Sequence, residues 1–536
     1  MTRRIGRLSG GMVVLALMFG ASAGSASADQ GLRLDWQSCG DAANVQCTTA
    51  KVPLDYGSPG EGSTKLFVAR SPATDRKHRI GSLFLNFGGP GGTMADIVEA
   101  YGADLFPELN QRYDIVGMDP RGVGQSEPSI DCKVNQETDG IYSNPYTTPD
   151  NLNVSALIRK DQAYVNRCVA LNRKILPYVS TANVARDLDA LKSAVGDRKL
   201  SYLGFSYGTF LGATYASLFP NGYRSMVLDG PVDATNYINH PMTDLAAQTA
   251  GFERALGRFF QVCAANQAGC AGFGGSDPWD AFDQLVDRAN QTPIPADGYT
   301  ADPRPVTGDE VIEATIGDLY AKQYWPELAG YLADAANGDA SGLRFLSDLS
   351  YGRNDDGTYD PGSDRYFTIG AIEQHYGSGV QNYLDAGEMS YEQHDHFWSN
   401  NGYVELNYGL FPIKGRDTYA GPFKIPGSAV TPLVVATTYD PATPFRGAKN
   451  LVRDLGNARL LTMRGDGHTA YGNGSPDCID SSINTYLLDG KLPLTGTTCV
   501  QDLPFEQPQA TAKARVAPAA PQVEATRRLH ERPVAP

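Results

Sequence analysis

Tyr202-Leu203-Gly204-Phe205-Ser206-Tyr207-Gly208-Thr209 is the stretch on which the architecture turns. Residues 200–204 form a short apolar run, the reading of a strand buried on both faces. From Thr209 small and apolar residues continue to Phe219 and stop at Pro220, as a helix would. Between them Gly204-Phe205-Ser206-Tyr207-Gly208 matches G-x-S-x-G. That turn is so sharp that glycines flank the serine, whose hydroxyl projects above a sheet edge. The motif is weak alone: Gly20-Ala21-Ser22-Ala23-Gly24 matches it too, without a strand before it or a helix after it. Upstream, residues 82–86 and 113–117 are brief apolar runs, each followed by a glycine-rich turn, and residues 181–195 carry apolar positions at helical spacing. Downstream, residues 226–229 read as the next strand. Strands alternating with helices predict a parallel α/β sheet. Residues 32–69 alternate apolar and polar around turns and read as short antiparallel strands.

The pattern changes after residue 231. Residues 232–428 are helical and aromatic, broken by Gly/Asp/Pro loops, and strand signals return only at 432–437 and 459–463. The organisation expected is therefore a sheet domain in two parts, 29–231 and 429–506, with a mainly helical cap, 232–428, inserted before the last strands. Residues 507–536 are rich in Ala, Pro, Arg and Gln without apolar periodicity, the composition of a disordered tail.

A serine nucleophile needs a base and an acid that orients the base. Asp440 follows the 432–437 strand in Tyr439-Asp440-Pro441-Ala442-Thr443-Pro444, and His468 follows the 459–463 strand in Gly465-Asp466-Gly467-His468-Thr469. Ser206, Asp440 and His468 thus stand in the order Ser, Asp, His at the carboxyl ends of strands, which is the arrangement of the α/β-hydrolase fold. The bland alternatives are an Asx-turn residue before Pro441 and a loop histidine. Asp466 is the rival acid, but it shares a loop with His468. For an oxyanion hole, one N–H is expected from Tyr207. The other is expected from the loop Phe87-Gly88-Gly89-Pro90-Gly91-Gly92, with Gly89 ahead of Gly88. The His394-x-His396 pair lacks a third metal ligand in sequence, and no metal or organic cofactor is expected.

Taken as a set, these residues resemble the proline-iminopeptidase and tripeptidyl-aminopeptidase family of serine exopeptidases, closest to its secreted bacterial tripeptidyl aminopeptidases. The likeness rests on Gly88-Gly89-Pro90-Gly91-Gly92, Asp119-Pro120-Arg121-Gly122-Val123-Gly124-Gln125-Ser126, Thr181-Ala182-Asn183-Val184-Ala185-Arg186-Asp187-Leu188-Asp189, the Ser206 turn, Asp440-Pro441-Ala442-Thr443-Pro444 and Gly467-His468. It departs at Phe87, where relatives carry His or Pro, and at Gln374 and Tyr408, near which relatives carry two cap cysteines. The resemblance implies removal of residues, as tripeptides, from peptides or proteins with a free N-terminus. It also points to Glu373, where relatives have a cap acid, as an anchor for the substrate ammonium. An esterase or lipase acting on a non-peptide acyl group would use the same triad. A binding protein on a dead hydrolase scaffold is disfavoured by the intact triad.

Composition bounds the remaining choices. The 536 residues carry 41% hydrophobic and 20% charged residues, ordinary for a globular protein, and a formal net charge of −15 disfavours a nucleic-acid partner. Arg3, Arg4 and Arg7, a short apolar run and Ala26-Ser27-Ala28 read as a signal peptide over residues 1–28, so a secreted protein without a membrane anchor is expected. Eight cysteines in an exported chain read as disulfides. Of the 105 pairings open to eight cysteines, sequence proximity selects 39–47, 132–168, 263–270 and 478–499.

Overall fold

A computed structural model describes residues 32–40, 42–141 and 148–506. The signal peptide expected over residues 1–28 and the tail expected over 507–536 lie outside the described residues. Ten strands make one sheet: β1 (Gln37–Ser38), β2 (Gln46–Pro53), β3 (Ser63–Ser71), β4 (Gly81–Asn86), β5 (Tyr113–Met118), β6 (Leu200–Phe205), β7 (Tyr223–Asp229), β8 (Leu433–Tyr439), β9 (Arg459–Asp466) and β10 (Thr498–Val500). Their spatial order is β1-β2-β3-β5-β4-β6-β7-β8-β9-β10. The first four in that order pair antiparallel and the rest run parallel. This is the α/β-hydrolase fold, with a mainly helical cap inserted between β7 and β8.

The strand periodicity explains the burial. Leu200 and Tyr202 face one core, with Met226, Leu228, Val434 and Ala436. Leu203 and Phe205 face the other, with Val227, Leu433 and Val435. Alternate side chains of a strand point to opposite faces, and helices cover both, so these strands read as unbroken apolar runs. The helix Thr181–Ala194 and the helix Tyr207–Leu218 pack on the first face.

The cap has a core of its own, built on Phe252, Phe259 and Phe260 of the helix Pro241–Ala265 against Phe282, Trp325 and Leu328. It also leans on a part of the chain that the sequence reading left in the sheet domain. The helix Val154–Asn172, between β5 and β6, contributes Val165 and Cys168 to a cluster with Phe367, Ile372 and Tyr408 of the insertion. The four expected disulfides are present: Cys39–Cys47, Cys132–Cys168, Cys263–Cys270 and Cys478–Cys499. Among the described residues no helix is long and apolar enough to cross a membrane.

Candidate active site

The turn after β6 forces Ser206 into φ 54°, ψ −127°, a conformation L-residues avoid. Its tightness explains both glycines of the motif. A Cβ on Gly204 would sit 2.6 Å from the Gly208 carbonyl oxygen, and one on Gly208 would sit 2.5 Å from that of Asn86. The turn is held from below, where the Ser206 N–H donates to the Asp229 carbonyl at 3.0 Å. The helix Tyr207–Leu218 starts at the next residue, so its N-terminal dipole faces the serine.

Asp440 and His468 stand past the carboxyl ends of β8 and β9, and both are buried. His468 Nδ1 lies 2.9 Å and 2.8 Å from the two Asp440 carboxylate oxygens. Asp440 also accepts from the Ala442, Thr443 and Thr469 N–H groups and from the Thr443 hydroxyl, so the cost of burying its charge is offset. With Nδ1 engaged, Nε2 is the ring nitrogen that can serve a hydroxyl. The rival acid is occupied elsewhere: Asp466 pairs with Arg258 and Lys322.

Sequence reasoning missed Asp229, at the end of β7. Its buried carboxylate accepts from the Ala470 and Tyr471 N–H groups, fixing the loop just after His468. Burial pushes its carboxyl up to about 7, outweighing those donors. The available signal was an acid directly after the short apolar run Met226-Val227-Leu228.

The loop after β4 meets the serine turn from the other side. A Cβ on Gly88 (φ 123°) would lie 2.9 Å from Ser206 Cβ, so glycine alone permits this approach. The Gly88 N–H already donates to Asn86 Oδ1 at 3.0 Å, whereas Gly89 lines the cavity in front of Ser206. Asp119 pins the loop by accepting from the Met94, Ala95 and Gln125 N–H groups.

That cavity, of about 190 Å³, is bounded by Ser206 and Tyr207 below and by Tyr237, Tyr366, Tyr376 and Tyr408 from the cap. Two carboxylates line it, Asp233 and Asp244. Asp233 is held by Asn236 and Asn450. Asp244, in the first turn of the helix Pro241–Ala265, has no salt-bridge partner among the described residues. Burial, with Asp233 nearby, pushes its carboxyl up to about 8.

Glu373 requires a correction. It does not line the cavity. Its carboxylate is 2% exposed and accepts from the Thr181 N–H at 2.8 Å and the Thr181 hydroxyl at 2.5 Å. Thr181 opens the helix Thr181–Ala194 and shares a hydrogen bond with the Tyr207 hydroxyl. Glu373 is thus a cap side chain that satisfies a helix N-terminus and braces Tyr207; both its oxygens are taken.

Comparison with known proteins agrees with this fold. The α/β-hydrolase fold family model matches residues 82–271, and the TAP-like protein model matches residues 411–499. The serine protease Hip1 of Mycobacterium tuberculosis is 32% identical over 90% of this chain and 93% of its own. A carboxylesterase B of the same organism is 32% identical, over 87% of this chain and 89% of its own. The tripeptidyl aminopeptidase of Streptomyces lividans is 29% identical, over 87% and 86% respectively. The chain therefore belongs to the tripeptidyl-aminopeptidase-like family within the α/β-hydrolase fold, and it is an enzyme, a serine hydrolase.

Proposed function

We propose that the protein is an exported serine exopeptidase that cleaves peptides near a free N-terminus and releases tripeptides. Ser206 is the nucleophile, His468 the base and Asp440 the orienting acid. His468 takes the Ser206 proton as Oγ attacks the peptide carbonyl. The N–H groups of Tyr207 and Gly89 receive the oxyanion, with Gly88 shaping the approach. The protonated imidazole then gives its proton to the leaving amine, and water resolves the acyl-enzyme by the same steps in reverse. Losing one such oxyanion donor typically costs on the order of 10²–10³ in rate.

The observation that carries the reading is the Asp440–His468 pair past the ends of β8 and β9, with only β7 between them and the strand that leads into a serine held at φ 54°. The amine preference is supported by Asp244, a carboxyl group in the cavity without a salt-bridge partner among the described residues. A substrate ammonium there would favour the ionised form of Asp244 over its burial-raised neutral form and donate to it in a charge-assisted hydrogen bond. In this reading Asp244, with Asp233 beside it, replaces Glu373 as anchor. Four disulfides fit an oxidising, extracellular destination.

The experiment is a matched series of tripeptide p-nitroanilides with free and acetylated N-termini, and simple p-nitrophenyl esters alongside. Cleavage only of the free-amine series, with intact tripeptide found by mass spectrometry, is the expected result. Equal cleavage of acetylated substrates would remove the exopeptidase reading. The alternative is a carboxylesterase, the name carried by one relative at 32% identity. Turnover of esters without peptide hydrolysis would establish it.

A further inference from the structure

The acid and the base sit on loops that no strand pairing holds together. The β8/β9 ladder runs regularly to Thr437, shifts register there, and ends at the pair Tyr439–Asp466. Asp440 is the next residue on one strand, and His468 comes two residues later on the other. Beyond that last pair the loops are joined to each other through side chains, as where the Thr469 N–H donates to Asp440 Oδ2 at 3.2 Å and the Thr437 hydroxyl to the Thr469 carbonyl at 2.8 Å, and otherwise rest on the cap.

One cap side chain binds both members of that last pair, from which the two loops depart. Arg258, on the helix Pro241–Ala265, donates from Nε to Asp466 Oδ1 and from Nη2 to Oδ2 at 3.2 Å. Its guanidinium also lies over the Tyr439 ring, 3.6 Å from the centroid. A planar cation can pair with a carboxylate in its plane and stack on a ring through its face, which an ammonium cannot do as well. Lys322 adds a second contact to Asp466 Oδ2 at 3.3 Å. Asp466 is only 4% exposed, so these pairs are partly shielded from solvent. The same region of the cap grips the loops by their backbones. Arg254 donates to the Asp440 carbonyl at 3.2 Å and Gln248 to that of Ala442 at 2.8 Å. The His468 N–H donates to the Tyr320 carbonyl at 2.6 Å.

We propose that Arg258 is a positioning residue for the hydrolytic reaction, a cap-borne clamp that sets the Asp440–His468 contact by binding Tyr439 and Asp466 at once. The inference rests on the triad reading above. It makes the cap part of the catalytic machinery's support in addition to forming the wall of the substrate cavity. Displacements of about 1 Å in such a constellation cost on the order of 10²-fold in rate.

The test measures how fast a fluorophosphonate labels Ser206, together with kcat, KM and thermal unfolding, for wild type, Arg258→Gln, Arg258→Lys, Asp466→Asn and His468→Ala. Labelling reports nucleophile activation without needing the peptide subsite. Arg258→Gln is expected to label at least about 10-fold slower and to lose kcat in proportion, with KM within about 2-fold, while still folded at the assay temperature. Arg258→Lys should recover part of the rate, since it keeps the ion pair and loses the stack. If Arg258→Gln fails to fold, Asp466→Asn, which keeps the shape and removes both ion pairs, carries the same expectation. A folded Arg258→Gln or Asp466→Asn enzyme with a lower Tm and wild-type labelling overturns the proposal, leaving Arg258 a staple. His468→Ala separates the two readings: wild-type labelling by that variant would remove the triad itself. Slow labelling there beside a normal Arg258→Gln would remove only the clamp.

Discussion

At the scale of single residues, two carboxylates make opposite predictions. Asp244 opens on the cavity; Glu373 is behind its wall with both oxygens engaged. A hydrogen bond to a charged group is worth about 1.5–3 kcal/mol, and 1.4 kcal/mol is tenfold. Asp244→Asn should therefore lower kcat/KM for free-amine peptides by roughly 10–100-fold and leave any acetylated or ester substrate unchanged. Glu373→Gln should spare that discrimination, because Glu373 does not line the cavity and an amide oxygen can still accept from Thr181. Steady-state kinetics on the paired substrates decides between them; a Glu373→Gln loss equal to that of Asp244→Asn would restore Glu373 as the anchor. Ser206→Ala should give a folded protein with no hydrolysis above background, measured on whichever substrate the wild type prefers.

At the scale of elements, the family-like Asp-Pro-Arg-Gly run proves to be a brace. Arg121 and Asp187 are both fully buried and joined by two 2.7 Å hydrogen bonds. The remaining Arg121 donors reach the carbonyls of Pro53, Leu54 and Tyr178. The pair thus ties the loop after β5 to the helix Thr181–Ala194 and to the end of β2. Removing one partner of a buried pair strands the other charge, so Arg121→Met should cost about 3–5 kcal/mol in urea unfolding. A second buried charge joins three cap elements. His396 lies between Glu253, at 3.3 Å from Nδ1, and Asp283, at 2.8 Å from Nε2. Burial opposes its charge, but the hydrogen bonds to Glu253 and Asp283 outweigh that, so its folded pKa is raised. The unfolded value is near about 6.5. A raised folded value means this contribution is complete below that pH and is lost as pH rises through the folded pKa. His396→Gln should flatten the fall in stability on that alkaline side, read from unfolding midpoints across pH; an unchanged slope would show that His396 is not its source.

At the scale of the molecule, the cap is held to the body by shared cores and cross-links. The Cys132–Cys168 bond, separated by 36 residues, anchors the helix Val154–Asn172 where it packs on the insertion. Loop-closure entropy for that length is worth about 4 kcal/mol, so replacing both cysteines by serine should lower unfolding stability by about that much. Activity should fall more than for loss of Cys39–Cys47, which lies at the far edge of the sheet. Equal effects on stability and turnover would mean that this helix does not support the cap.

The strand–turn–helix around Ser206, the alternation of strands and helices that makes the parallel sheet, and the placing of Asp440 and His468 after later strands are all legible in the chain's residue order. Each of these is encoded in neighbouring residues, by short unbroken apolar runs, by 3.6-residue periodicity or by glycines at a turn that admits no Cβ. Folding in three dimensions is what makes His468 lean on Asp440 while Asp466 turns to Arg258, brings Asp244 and not Glu373 to the cavity, and packs the helix Val154–Asn172 with the cap. Those outcomes join side chains far apart along the chain, and their choice of partner depends on which groups end up buried together.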